Sequence, residues 1–143
     1  MDKFRAYRVF SEDGKISARV AESALEELSA GGVVFRTAFS SVNYKDALAA
    51  TGTGGRIIRT YPRVPGIDAA GKVMSSGDAR FKPGDEVICT SYEFGVGHDG
   101  GWSQVCRVPA EWVVPLPKGL TLHEAASLGV AGYTAGLAVA LLE

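Results

Sequence analysis

The stretch EVICTSYEFGVGHDGGWSQVCRV, residues 86–108, decides between two folds. Within it GVGHDG, residues 95–100, spells G-x-G-x-x-G, the pattern that lets a backbone approach a pyrophosphate. That pattern holds phosphate only between a strand and the first turn of a helix, where free amides and the helix dipole meet the anion. Upstream, EVICTSYEF is rich in β-branched and aromatic residues and reads as a strand. Downstream, Val105, Val108, Val113 and Val114 are interrupted by Pro109, Pro115 and Pro117, with no helical spacing. Nothing acidic stands between Glu111 and Glu124 to meet a ribose hydroxyl. The stretch therefore reads as two strands joined by a flexible hairpin connection, not as a phosphate loop.

Working outward, the same β character continues. FRAYRVF, ISARVAES and GGVVFRTAFSSV read as strands, with turn signals at Asp13-Gly14 and Gly31-Gly32. IDAAGKVMSSG, DEVICTS, SQVCRV and WVVPLP supply more, so residues 1–120 are mainly β, as a barrel or sandwich. NYKDALAATG breaks the pattern with a helix of about two turns. Asn43 is its N-cap, Asp46 stands at its third position, Val42 and Ala47 can form a staple, and Gly52 can end it. Thr121 and Glu124 form a capping box that opens a second helix running uninterrupted to Glu143. Residues 125–142 carry no charge, which imitates a membrane span. Their Ala and Gly content fits a helix buried between two protein masses better, and residues 121–143 are expected to lead into a further domain.

A net charge of −1 over 143 residues argues against a nucleic-acid surface. The start, MDKFRAYRVF, has no signal-like apolar run, so a cytoplasmic protein is expected. Cys89 and Cys106 form neither a CxxC pair nor a disulfide framework and read as buried thiols.

SSVNYKDAL, PGIDAAGKV, FKPGDEV, GGWSQ and EAASLGVAGYTA, in this order, resemble the N-terminal domain of the medium-chain dehydrogenase/reductase superfamily. They are most similar to its zinc-independent branch of quinone oxidoreductases and acrylyl-CoA reductases. The resemblance implies a GroES-like β-barrel with short helices and a C-terminal interdomain helix, followed by a Rossmann domain that carries the true glycine fingerprint. It also implies an NADPH-dependent reductase of activated C=C bonds, acting as a homodimer on an enone, a quinone or a CoA thioester. A zinc alcohol dehydrogenase and a non-enzymatic GroES-like binding module are the alternatives.

Where zinc-dependent relatives place a Cys and a His ligand, this sequence has the Val42–Asp46 segment and Ile67, so no metal site is expected. Asn43, Asp46 and Asp68 are the expected catalytic residues; Tyr44 and Thr134 are expected to contact NADP(H). Each has a structural alternative: capping for Asn43 and Asp46, core packing for Tyr44, a bond back to Val130 for Thr134, and a satisfied buried acid for Asp68. His98 and His123 read as exposed bystanders, and Arg56, Arg59 and Arg63 as a solvated loop that a phosphate-bearing substrate could meet.

Overall fold

The computed structural model describes residues 3–53 and 57–143; Arg56 lies outside the described residues. Seven strands form in the order the β-branched runs predict: β1 (Phe4–Glu12), β2 (Lys15–Ser23), β3 (Val33–Ser40), β4 (Asp68–Ser76), β5 (Glu86–Thr90), β6 (Val105–Val108) and β7 (Val113–Pro115). β1 and β2 make a hairpin over the left-handed pair Asp13-Gly14. The other five form an antiparallel sheet in the order β6-β3-β4-β5-β7. Tyr7 N donates to Trp102 O and Gln104 N to Arg5 O, which brings β1 to the edge beside β6.

Alternation along the strands splits the interior in two. On one face Val33, Phe35, Val73, Val87, Phe94 and Val108 form the largest core cluster. Each such side chain taken fully out of water contributes about 1.5–3 kcal/mol. On the other face of β4, Ala70 meets Leu122 and Ala126 of the second helix. The period of two puts Asp68 on that same face, beside the helix.

The short helix α1 spans Tyr44–Thr51 and ends at Gly52, whose φ of 71° is the left-handed cap expected of glycine. Asn43 occupies the N-cap position, but its side chain makes no cap hydrogen bond. Val42 is 78% exposed and Ala47 is exposed, so no staple forms. Helix α2, Leu122–Leu142, starts from the Thr121–Glu124 box: Glu124 N donates to Thr121 Oγ1 at 3.2 Å and Thr121 N to Glu124 Oε2 at 2.8 Å. It is not continuous. Gly129, at φ 48° and ψ −157°, breaks it, a backbone state that only glycine reaches without strain. By length and composition α2 could cross a membrane; within this chain only its first turns are covered, through Leu122, Ala125 and Ala126.

GVGHDG corrects the expectation of a flexible hairpin. Phe94, Gly95, His98, Asp99, Gly100 and Gly101 are buried, and Gly100 N and Gly101 N donate to Val64 O and Gly66 O. The glycines allow backbone to lie on backbone: a Cβ on Gly95 would stand 2.6 Å from the Gly66 carbonyl carbon. The next element is strand β6, not a helix. His98 is also buried rather than exposed, with Nδ1 2.9 Å from Asp99 O and Nε2 3.0 Å from Ala30 O. Arg63 is 8% exposed rather than solvated, because its guanidinium meets Ser29 Oγ at 2.7 Å and Asp99 Oδ2 at 3.4 Å. Arg59 and His123 are exposed as expected.

Candidate functional site

Antiparallel pairing of β4 with β5 sets Asp68 opposite Thr90. The hydroxyl of Thr90 donates to Asp68 Oδ1, which also accepts from Val130 N at 3.0 Å. On Oδ2, Ser41 Oγ donates at 2.6 Å and Asn43 Nδ2 at 2.9 Å. Four donors from three segments thus converge on one buried carboxylate. Val130 is the first residue past the break in α2, so Asp68 caps the second half of that helix. Gly129 is required for this approach, since a Cβ there would stand 2.5 Å from Asp68 Oδ2.

Asp46 is fully buried. Its Oδ1 accepts from Ile67 N at 2.9 Å; its Oδ2 accepts from Asn43 N at 2.8 Å and Nδ2 at 3.1 Å. One carboxylate therefore ties α1 to the loop entering β4. The amide of Asn43 faces Ser41 Oγ, Asp46 and Asp68 with its nitrogen, and two carboxylates leave no choice of flip. Its carbonyl oxygen has no partner among the described residues, so Asn43 offers a ligand an acceptor rather than a donor.

Asn43, Asp46 and Asp68 are thus brought together. Tyr44 follows at the start of α1 and is 80% exposed, so it does not pack into the core of this chain. Thr134, exposed on α2, donates to Val130 O at 2.8 Å and makes no hydrogen bond to the cluster. Ser41, Thr90 and Gly129 belong to the network and were not among the expected residues. None of the three carried a distinguishing sequence signal, since Gly129 is one of three glycines in its run, with Gly132 and Gly136.

Among the described residues no three His, Cys, Asp or Glu side chains stand where they could share a metal ion. Asp68 has its four protein donors, Ile67 beside it cannot ligate, and both thiols are held as thiols by burial. Desolvation pushes Cys106 up to about 12 against the opposing contact of Thr37, and pushes Cys89 well above the ordinary thiol value. The donor set does not fit zinc.

Residues 29–118 match the alcohol dehydrogenase GroES-like domain. YhfP of Bacillus subtilis, named as a quinone oxidoreductase, is 49% identical over 98% of this chain and 42% of its own length. Acrylyl-CoA reductase AcuI of Ruegeria pomeroyi is 49% identical over 92% of this chain and 40% of its own length. The yhdH oxidoreductase of Salmonella enterica, solved in complex with NADP, superimposes with a TM-score of 0.93 at 45% identity, covering 96% of this chain and 42% of that one. The structure of YhfP was solved with NAD bound. The chain spans about two fifths of the length of these relatives. It belongs to the alcohol dehydrogenase GroES-like domain family, within the medium-chain dehydrogenase/reductase superfamily.

Proposed function

We propose that this chain is the substrate-side domain of an NADPH-dependent oxidoreductase that reduces activated C=C bonds without zinc. Residues 1–120 form the catalytic GroES-like unit, and residues 121–143 lead toward a nucleotide-binding domain. The observation that carries the reading is the Asn43–Asp46–Asp68 network. The resemblance puts it at the positions where zinc-dependent relatives hold metal, and its carboxylate oxygens are already taken by protein donors.

A bound nicotinamide would supply the hydride, and a proton completes the saturated product. The residues present fit one end of such a cofactor. Tyr44 presents an exposed ring and hydroxyl, Asn43 an unpaired carbonyl for an N–H or O–H, and Thr134 an exposed position on α2. No described segment offers a phosphate loop, so the dinucleotide's phosphates need residues outside this chain. Asp46 and Asp68 act as positioning residues that fix the Asn43 amide. A metal-free cleft suits an enone, quinone or acrylyl thioester, in which the conjugated carbonyl takes up the developing charge, better than a simple alcohol. The protein is expected to be cytoplasmic and homodimeric.

The test is NADPH oxidation by the full-length protein with acrylyl-CoA, a simple enone and a quinone, with and without a strong zinc chelator. Turnover that resists chelation and falls about a hundredfold in Asn43→Ala or Tyr44→Ala supports the reading, since a misplaced positioning group costs on that order. Chelation that abolishes turnover, or no oxidation with any acceptor, overturns it.

A further inference from the structure

Between β5, β7 and α2 lies a cavity of about 580 Å³, within the size range of small-molecule sites. Asp68 and Thr90 stand on its wall, so it opens onto the network just described. Among the described residues no Lys, Arg or His lines it, and the one acid on its wall already has four donors. Phosphates and carboxylates therefore find no partner inside.

Part of the wall is an aromatic pair. Tyr92 and Trp112 stack with centroids 5.3 Å apart and planes within 5°. Trp112 also packs T-shaped against the ring of buried His98, with centroids 5.0 Å apart. Tyr92 remains 64% exposed. It stands there because Ser91 and Tyr92 both adopt left-handed backbone, at φ 66° and 51°. Such strain costs on the order of 1–3 kcal/mol per residue and gathers at ligand sites. Ser91, Tyr92 and Tyr133 line the same space, and their hydroxyls have no hydrogen-bond partner among the described residues. An apolar volume, an extendable aromatic stack and idle O–H donors together describe the complement of a flat ring bearing a carbonyl.

We propose that this cavity binds a neutral planar carbonyl compound of the quinone or aryl-enone class, and that Tyr92 and Trp112 select it over a CoA thioester. The inference rests on the reductase reading for its catalytic meaning, but binding can be measured without turnover. The full-length protein is titrated calorimetrically with 2-methyl-1,4-naphthoquinone, as wild type, as Tyr92→Gly and as Trp112→Phe. Glycine removes the ring without straining the left-handed backbone, and thermal melting of each variant verifies the fold.

Tyr92→Gly weakens quinone binding about tenfold, the size of a lost aromatic stack, and raises the quinone KM equally. The acrylyl-CoA KM changes less than twofold. Equal quinone affinity in wild type and both variants, or equal loss for both substrates, overturns the proposal. A wild type that binds the quinone but oxidises no NADPH keeps the site and sinks the reductase reading. One that turns over while the variants bind unchanged does the reverse.

Discussion

Asp68, at the start of β4, and Asp99, in the loop between β5 and β6, are two buried carboxylates, each surrounded by four donor groups. Asp99 takes Ser29 N, Ser29 Oγ, Val64 N and the guanidinium of Arg63. Two of those are backbone amides and one is a fixed cation, so Asp99 ties three loops together with nothing left over. Asp68 takes three side chains, Ser41, Asn43 and Thr90, with a single backbone amide, Val130 N. Of these side chains Thr90 lines a cavity, as Asp68 itself does, and Asn43 keeps an unpaired carbonyl. A saturated carboxylate therefore says little by itself about function. The kind of donor, and what those donors reach next, separates the scaffold from the site.

The largest expected effect strikes the scaffold. Asp99→Ala leaves Arg63 buried without its anion, and Arg63 Nε already lacks a partner. Breaking a buried pair on one side costs about 3–5 kcal/mol, read by urea denaturation. A loss below 1 kcal/mol would dissolve the contrast drawn above. Next comes Gly129→Ala, which forces a Cβ toward Asp68 Oδ2 at a backbone state alanine avoids, for about 1–3 kcal/mol. In Asp68→Ala/Gly129→Ala the clash disappears, so the double variant should lose less than the sum of the singles; additivity would show that the two do not touch. Smaller still, Thr90→Val removes one of four donors and costs about 1 kcal/mol. In the full-length protein its activity should fall further than that at a temperature where the fold persists. Parallel losses would make Asp68 another Asp99.

How much of this was legible follows from the range of each interaction. The seven strands, α1 with its Gly52 cap and the Thr121–Glu124 box are local patterns, and each appears where its residues stand. Asn43, Asp46 and Asp68 were legible only through the order of five motifs; their meeting depends on strand register. Thr90 joins them because β5 pairs with β4 in one register out of several, and Ser41 because Trp102 Nε1 holds its carbonyl at 3.1 Å. The errors share one cause. GVGHDG, His98 and Arg63 look polar and mobile by composition, yet they bury because residues far apart in sequence, Ser29, Ala30, Val64, Gly66 and Asp99 among them, supply hydrogen bonds that a buried loop requires. The break at Gly129 was hidden by an otherwise unbroken apolar run, since nothing local shows that a carboxylate from β4 waits to cap Val130.

The smallest effect supplies the exposed control for both carboxylates. Glu124 accepts from Thr121 N and from Thr121 Oγ1, each at 2.8 Å, lengths much like those around Asp68, but with water at hand. The Thr121 backbone amide, then its hydroxyl, hold the Glu124 carboxyl below the usual carboxylate range. A depressed folded-state value contributes stability above the unfolded range and loses it as pH falls through the lowered value. Glu124→Gln can still accept from Thr121 N but does not titrate. Its melting temperature should lie slightly below wild type at neutral pH and converge with it in acid. A gap that persists at low pH would mean that Glu124 acts through packing rather than charge. If the gap at neutral pH approached that of Asp99→Ala, burial would not be what separates these carboxylates, and the weight given to Asp68 and Asp99 would fall with it.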